Sequence, residues 1–192
     1  TFVIVDQFID RTFAREKSFF GKGMVAHVSV AHPVCSRLGD WLQQSASEAG
    51  IEAVRGGTYL AMEGPQFSSL AESNLYRQWG CDVIGMTNMP EAKLAREAEL
   101  CYASVSMVTD YDCWHPDHDH VTVEQIVGVL LANANKGRAL VKQVVPHLKT
   151  DTQATACSCR SALQHALITA PEARDPAMLE KLSAVAGRLL KS

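Results

Sequence analysis

The sequence predicts an α/β domain with a mixed, largely parallel central sheet flanked by helices. Apolar runs typical of buried strands alternate with amphipathic stretches over residues 59–108, in the order strand, helix, strand, helix, strand. Hydrophobic residues make up 47% of the 192 residues, which is enough for one sizeable core. In folds of this class, ligand sites lie at the carboxyl ends of the parallel strands.

The first fifty residues predict a strand, a loop, a second strand and a helix. Residues 2–5 are typical of a buried strand. Because a compact domain rarely opens with an uncovered core strand, we expect a preceding segment to be absent from this chain. Residues 12–23 are polar and contain glycine, and residues 24–30 predict the second strand. Apolar side chains then recur at helical spacing over residues 38–49, and Gly50 follows as a C-cap glycine.

Three more strands are expected, over residues 59–62, 81–86 and 101–108. Two helices separate them. The first begins with the capping-box pair Ser69 and Glu72 and ends before Gly80. The second begins at Pro90, a residue that suits the first turn of a helix.

The longest helix is expected next. Thr122 and Gln125 have capping-box spacing, and the amphipathic residues 123–145 predict a helix that ends at Pro146. The polar, small residues that follow indicate a domain boundary. We therefore expect an α/β domain over residues 1–149, with its N-terminal part missing, and a helical C-terminal extension over residues 150–192.

Charge and hydropathy exclude several classes of function. The net charge is −3 and no basic run occurs, which argues against a nucleic-acid partner. No apolar stretch approaches the roughly 20 residues that a membrane-spanning helix needs, and no secretion signal opens the chain. These features predict a cytoplasmic protein. No Walker loop, serine-centred elbow or dinucleotide-binding fingerprint is present.

The six cysteines are not expected to form a disulfide framework. Four of them lie in or beside apolar segments, where a free thiol behaves as a small buried hydrophobe: Cys35, Cys81, Cys101 and Cys113. Cys157 and Cys159 form a C-S-C pair, which suits a redox pair, a local disulfide or two ordinary thiols.

Functional groups follow two of the predicted strands. Phe67 and Ser68 come just before a helix start, although Ser69 could simply cap that helix and Phe67 could simply pack. Met86 and Thr87 follow the next strand, where a methionine could contact a sugar and a hydroxyl could donate to phosphate. An ordinary turn is the alternative for this second pair.

Two carboxylates, Asp110 and Asp112, follow the strand predicted over residues 101–108. Burial raises the pKa of a carboxyl group and makes it usable as a general acid near neutral pH, whereas a solvated acidic turn is the plain alternative. Histidines and aspartates cluster over residues 115–120, but one short proline-containing loop cannot easily wrap four ligands around a metal. We therefore expect a mobile lid there and no metal site.

Four segments together resemble the methylthioadenosine phosphorylases, which belong to the trimeric purine nucleoside phosphorylases. They are VDQFIDRT, MEGPQFSSLAES, WGCDVIGMTNMPEAKLAREAELCYAS and VTDYDCW, and the resemblance covers residues 1–146. It implies phosphorolysis of 5′-methylthioadenosine to adenine and 5-methylthioribose 1-phosphate in purine and methionine salvage. It also implies a homotrimer, with inorganic phosphate as co-substrate and no metal or organic cofactor.

The resemblance also implies roles for single residues. Phe67 would pack on the purine, and Ile84 and Met86 would line the pocket with Met86 against the ribose. Thr87 would bind phosphate.

The same resemblance makes Asp110 and Asp112 the purine-binding pair, and Asp110 would protonate the leaving base. His27 would reach into a neighbouring subunit's site, and Val123 would lie beside the methylthio group. An aspartate pair favours 6-aminopurines, because one carboxyl can accept from the exocyclic amine while donating to a ring nitrogen.

Two departures from the family pattern leave alternatives open. Gly85 stands where the family commonly has an asparagine, and the sequence lacks the family's glycine-rich phosphate loop and its Arg-His phosphate pair. Either the polypeptide is a fragment, or a second chain from the same gene product supplies these groups, and we expect the second chain. The alternatives are a phosphorylase of methylthioinosine or another 6-oxopurine nucleoside, a hydrolytic nucleosidase, and a catalytically silent purine-binding relative.

Overall fold

The computed structural model describes residues 1–116 and 123–190, without the side chains of residues 123, 125 and 126. Within these described ranges, six strands form two three-stranded sheets. In the first sheet, β1 (Phe2–Val5) is the central strand between β3 (Ala53–Arg55) and β6 (Ser104–Met107). Strand β1 is parallel to β3 and antiparallel to β6.

The second sheet is entirely parallel and continues from the first. Its order is β2 (Gln7–Asp10), β4 (Thr58–Ala61) and β5 (Val83–Gly85). The two sheets meet where β1 passes into β2 at Asp6 and β3 passes into β4 at Gly56 and Gly57. At this junction the Asp6 backbone N–H donates to the Gly57 carbonyl at 3.1 Å, and the Gly57 N–H donates to Asp6 Oδ1 at 3.2 Å. The chain therefore forms a mixed, largely parallel α/β fold.

The part of the chain that the structure describes contains six α-helices: α1 (Ser36–Glu48), α2 (Leu70–Gln78), α3 (Glu91–Glu97), α4 (Val123–Thr150), α5 (Pro176–Lys181) and α6 (Ser183–Leu190). The capping box predicted at the start of α2 is present, since the Ser69 hydroxyl accepts from the Glu72 N–H and the Glu72 carboxylate accepts from the Ser69 N–H. No helix within the described ranges has the length and apolar character that a bilayer span requires. The pair predicted at Thr122 and Gln125 lies outside the described residues.

Buried side chains form separate clusters on the two sheets. One cluster joins β1 to α1 and α4 through Phe2, Ala46, Ile51 and Leu140. A second cluster joins β1 and β4 to the start of α3 through Val5, Tyr59, Ala61, Met89 and Ala92. A third cluster packs α2 against β4 through Leu60, Met62 and Tyr76.

Beyond α4 the chain packs on the segment that follows β2. Two short 3-10 helices (Ser158–Ser161 and Pro171–Ala173) precede α5 and α6. A buried cluster then joins the two parts of the chain: Phe20, Met24, Leu163, Ala166, Leu182 and Ala186. The division into two domains at residue 149 stays a prediction.

Three predicted elements differ from the structure. Residues 24–30 form no strand, because Met24 and Ala26 make only isolated bridges to Gly21 and Leu167. Helix α4 continues through Pro146 to Thr150. A proline removes one helical hydrogen bond, and contacts in the next turn offset that loss: the His147 ring stacks on Trp41 at 4.9 Å. The single terminal helix expected is the pair α5 and α6, which meet at the buried Leu182.

Candidate functional site

The loops after β4 and β5 leave the same edge of the parallel sheet. Tyr59 pairs with Val83 and Ala61 pairs with Gly85, so both strands end at one level. The Met62 backbone N–H then donates to the Gly85 carbonyl at 2.9 Å. The structure therefore brings together the loops that carry Phe67 and Thr87, two of the three segments in which the sequence placed functional groups.

Met86 and Ile84 lie against the loop after β4. Both side chains pack on the buried cluster of Leu60, Met62 and Tyr76. Met86 also occupies the space beside Gly64, where an added Cβ would lie 2.6 Å from the Met86 sulfur. The arrangement gives this edge of the sheet an apolar, adaptable floor.

A buried tyrosine holds Thr87 in place. The Tyr59 hydroxyl accepts from the Thr87 backbone N–H at 3.3 Å and lies 3.2 Å from the Thr87 hydroxyl. Thr87 itself is exposed. A Cβ on Gly85 would lie 2.1 Å from the Tyr59 hydroxyl oxygen, so the glycine leaves room for the phenol. The position of the Tyr59 phenol therefore gives a structural reason for a glycine at position 85.

Asp112 ties the loop after β6 to helix α2. One Asp112 oxygen accepts from the buried Ser73 hydroxyl at 2.6 Å, and the other accepts from the Cys113 N–H at 2.9 Å. The Cys113 thiol lies 3.6 Å from the Ser68 carbonyl oxygen and donates to it. Phe67, the neighbour of Ser68, is 87% exposed and does not pack into the core of this chain. The structure thus places Asp112 next to the segment that carries Phe67.

Asp110 faces the opposite side of the same loop. It is half-buried and accepts a hydrogen bond from the Thr109 hydroxyl at 2.5 Å. It lines a cleft of about 480 Å³ between the end of β6 and helix α4. The other lining residues are Thr1, Val108, Thr109, Tyr111, Val129, Ala132, Asn133 and Lys136. Phe67 and Met86 are not among them, so the two aspartates point to different neighbours.

The rest of the loop is aromatic. Tyr111 stacks on His115 with ring centres 4.2 Å apart, and the Arg77 guanidinium lies 3.7 Å above the Trp114 ring. His115, the first member of the histidine and aspartate cluster, therefore takes part in ring packing. The remaining members of that cluster at residues 117–120, and the side chain of Val123, lie outside the described residues.

His27 lies on the surface, in the segment that packs on the C-terminal extension. Its backbone N–H donates to the Ala166 carbonyl at 2.8 Å, and its side chain is exposed. The ring is therefore accessible to a neighbouring molecule.

A family profile described as the phosphorylase superfamily matches residues 1–146. The chain belongs to the phosphorylase superfamily. It is 66% identical over 190 residues to the S-methyl-5′-thioadenosine phosphorylase of Rhodospirillum rubrum, covering 99% of this chain and 65% of the relative. It is 61% identical over 191 residues to the enzyme of the same name from Bradyrhizobium diazoefficiens, covering 100% of this chain and 66% of the relative.

Solved structures are similar as well. A methylthioadenosine phosphorylase sourced from an antarctic soil metagenomic library superposes with a TM-score of 0.89 at 43% identity, covering 96% of this chain and 64% of that one. The methylthioadenosine phosphorylase of Schistosoma mansoni in complex with adenine has a TM-score of 0.80 at 29% identity, covering 86% of this chain and 66% of that one. This superfamily member spans just under two thirds of the length of these relatives.

Sequence reasoning missed two residues that position the site of this superfamily member. One is Tyr59, whose polar end is hidden inside an apolar strand. The other is Arg15, which donates to the carbonyl oxygens of Met62, Glu63 and Met89 and so joins the loops after β4 and β5. A lone arginine in a polar loop gives no sequence signal for such a contact.

Two carboxylates near the loops after β4 and β5, Asp10 and Glu63, are paired with basic side chains. Burial would raise the pKa of Asp10, but hydrogen bonds from Lys93, Thr12 and Lys17 hold it well below its usual range. Backbone N–H groups of Phe13 and Ala14 lower the pKa of Glu63, which also pairs with Arg15. The loop over residues 12–17 is thus fixed to the sheet edge by ionised groups.

Proposed function

We propose that this superfamily member carries the nucleoside-binding part of a 5′-methylthioadenosine phosphorylase. The observation that carries the proposal is the 66% identity, over 99% of the chain, to a relative of that name. The reaction would transfer the methylthioribosyl group from adenine to phosphate, as a pentosyltransferase of purine and methionine salvage.

The shared sheet edge supports this assignment. Ile84 and Met86 would line the sugar and base pocket, and Phe67, being exposed, is available to stack on a purine. Thr87 would donate its hydroxyl to phosphate, and its exposure leaves it accessible to that anion. Val123 would lie beside the methylthio group.

Asp110 and Asp112 would have different roles in binding and protonating the purine base. Both oxygens of Asp112 accept hydrogen bonds, which suits a fixed hydrogen-bond acceptor. Asp110 accepts only from the Thr109 hydroxyl among the described contacts, and the cleft that it lines includes neither Phe67 nor Met86. We assign Asp110 as the general acid from the resemblance of its segment to the methylthioadenosine phosphorylases, in which a leaving purine develops negative charge and departs faster when its ring nitrogen is protonated. A positioned general acid contributes about 10² to 10⁴ in rate.

Assembly and location form part of the same proposal. A homotrimer would allow the exposed His27 to reach a neighbour's site, and the apolar residues exposed on α4, Leu130 and Leu131 among them, would suit a subunit contact. The phosphate loop that this sequence lacks would come from a segment outside the chain. The reaction would need no organic cofactor and no metal. The free thiols suit a reducing compartment such as the cytoplasm.

Phosphate-dependent release of adenine from methylthioadenosine tests the proposal. The full-length protein is assayed with methylthioadenosine and with methylthioinosine, beside an Asp110→Asn variant. We expect preference for methylthioadenosine and a loss of about 10² or more in kcat for the variant. The variant should lose less with the 6-oxo substrate. Adenine release without phosphate would indicate a hydrolase, and faster turnover of methylthioinosine would contradict the substrate assignment.

A further inference from the structure

Four cysteine thiols converge from three distant segments of the chain. Cys35 precedes α1, Cys101 lies between α3 and β6, and Cys157 and Cys159 follow α4. Their sulfur atoms all lie within 4.8 Å of one another. The Cys157 sulfur is 3.6 Å from that of Cys35 and 3.5 Å from that of Cys101. All four are free thiols.

The separations of 3.5 and 3.6 Å are close to the spacing of sulfur ligands around one tetrahedral ion, and the other pairs lie no more than 4.8 Å apart. Four thiolates bound to Zn²⁺ at about 2.3 Å hold their sulfur atoms about 3.8 Å apart. A covalent disulfide would need about 2.05 Å. We propose that Cys35, Cys101, Cys157 and Cys159 bind a single Zn²⁺ ion as a structural site.

The surroundings suit a closed, negatively charged zinc centre. Cys35 is 5% exposed and Cys159 is 4% exposed, whereas Cys101 and Cys157 are half-buried, so water has little access to two of the four ligands. Four thiolates around one Zn²⁺ carry a net negative charge. The guanidinium of Arg37, which also pairs with Asp151, lies 3.3 Å from the Cys101 sulfur, and that of Arg96 lies 3.5 Å from the Cys159 sulfur. Arg96 would offset part of this charge, and both guanidinium groups would orient the ligands.

The site would fasten the C-terminal extension to the α/β fold. Between α4 and α5, the structure contains only two short 3-10 helices and no long helix or strand. Cys157 immediately precedes the first 3-10 helix, Ser158–Ser161, and Cys159 is its second residue. Cys35 and Cys101 belong to the fold itself, where the Cys35 backbone N–H donates to the Tyr102 carbonyl at 2.8 Å. Binding of the ion would therefore stabilise the packing of the extension.

This inference departs from the sequence-based expectation of no metal site. The C-S-C pair has shorter spacing than common zinc motifs, and its partners lie 56 and 122 residues away along the chain. None of the four cysteines is among the residues assigned to the proposed reaction centre. Phosphorolysis without a metal in the chemistry is therefore compatible with this site.

Metal analysis of the full-length protein tests the site. The protein is purified under reducing conditions from zinc-supplemented culture, and we expect about one zinc ion per chain by elemental mass spectrometry. The Cys157→Ser, Cys159→Ser double variant should lose bound zinc by about tenfold or more. The matched control is Cys81→Ser, whose thiol lies outside the cluster; it should keep its zinc.

A second measurement does not depend on the variants folding. Metal-free, reduced wild-type protein is titrated with Co²⁺, and the visible bands of tetrahedral thiolate-bound Co²⁺ should saturate at about one ion per chain. Absence of both bound zinc and these bands would overturn the proposal. So would zinc retention by a folded double variant, or a Cys157–Cys159 disulfide in freshly isolated protein.

Discussion

The hydroxyl group of Tyr59 lies 3.2 Å from that of Thr87 and also accepts a hydrogen bond from the Thr87 backbone N–H. The phenol is 4% exposed, so it holds the turn after β5 from within the core. Under the proposed function Thr87 binds phosphate. Tyr59 is then a positioning residue, because it orients Thr87 and does not contact phosphate itself.

Replacing Tyr59 by phenylalanine should weaken phosphate binding more than nucleoside binding. The change removes both contacts to Thr87, and a hydrogen bond contributes about 0.5–1.5 kcal/mol. We expect KM for phosphate to rise by about two- to tenfold. Steady-state kinetics with each substrate varied in turn measures this. Tyr76→Phe, which removes a hydroxyl on α2, is the control, and an equal rise in KM for both substrates would argue against a phosphate-specific role.

Gly85→Ala should destabilise the protein through a clash with Tyr59. An added Cβ would lie 2.1 Å from the phenol oxygen, and overpacking of this kind costs about 1–3 kcal/mol. The double variant with Tyr59→Phe should recover part of that loss, because the two sites are coupled. Urea unfolding measures the free energy of unfolding of Gly85→Ala, Tyr59→Phe and the double variant.

Gly128→Ala is the matched control for Gly85→Ala. A Cβ there meets nothing within 4 Å, so the substitution within helix α4 should be neutral or slightly stabilising. Full additivity of the Gly85 and Tyr59 substitutions would contradict the clash.

Ser73→Ala should loosen the loop that carries Asp112. The Ser73 hydroxyl donates to the Asp112 carboxylate at 2.6 Å, and hydrogen bonds to charged groups contribute about 1.5–3 kcal/mol. We expect kcat/KM for the nucleoside to fall by about tenfold to a hundredfold. In an Asp112→Asn background the same change should have a smaller effect. Equal effects in both backgrounds would mean that Ser73 acts independently of Asp112.

Asp10→Asn should lower stability at neutral pH and have little effect in acid. The pKa of Asp10 lies well below its ordinary value of 3.8, where hydrogen bonds from Lys93, Thr12 and Lys17 outweigh burial. A carboxyl group whose pKa is depressed in the folded protein stabilises the fold at pH values above its pKa in the unfolded chain. This stabilisation is lost as the pH falls towards the folded pKa. We therefore expect Asp10→Asn to lower the free energy of unfolding by about 1–3 kcal/mol at pH 7. This range allows for solvent screening of the two partly exposed lysines.

The difference between wild type and Asp10→Asn should shrink progressively as the pH falls below about 4. Denaturant unfolding at several pH values measures it. Asp40→Asn serves as the control, since Asp40 is 75% exposed and its pair with Arg55 spans 3.7 Å. Its effect should stay below about 1 kcal/mol at every pH. A constant difference for Asp10→Asn across the whole range would contradict the assignment.

Much of the site could be predicted because its parts are local. The capping box of Ser69 and Glu72 and the turn after β5 depend on residues a few positions apart. The parallel pairing of β4 and β5 follows from the helix between them. The divergence of Asp110 and Asp112 was not predictable, because it depends on where α2 and α4 pack around one loop.

The sequence by itself determined the alternation of strands and helices and the junctions that carry polar residues, because local backbone preference and hydrophobic periodicity act over a few residues. Only the tertiary structure decided that β6 runs antiparallel, that Tyr59 fills the space beside Gly85, and that four thiols meet. Each of these contacts joins residues far apart in the chain. Their proximity depends on how whole elements pair and pack, which no local pattern encodes.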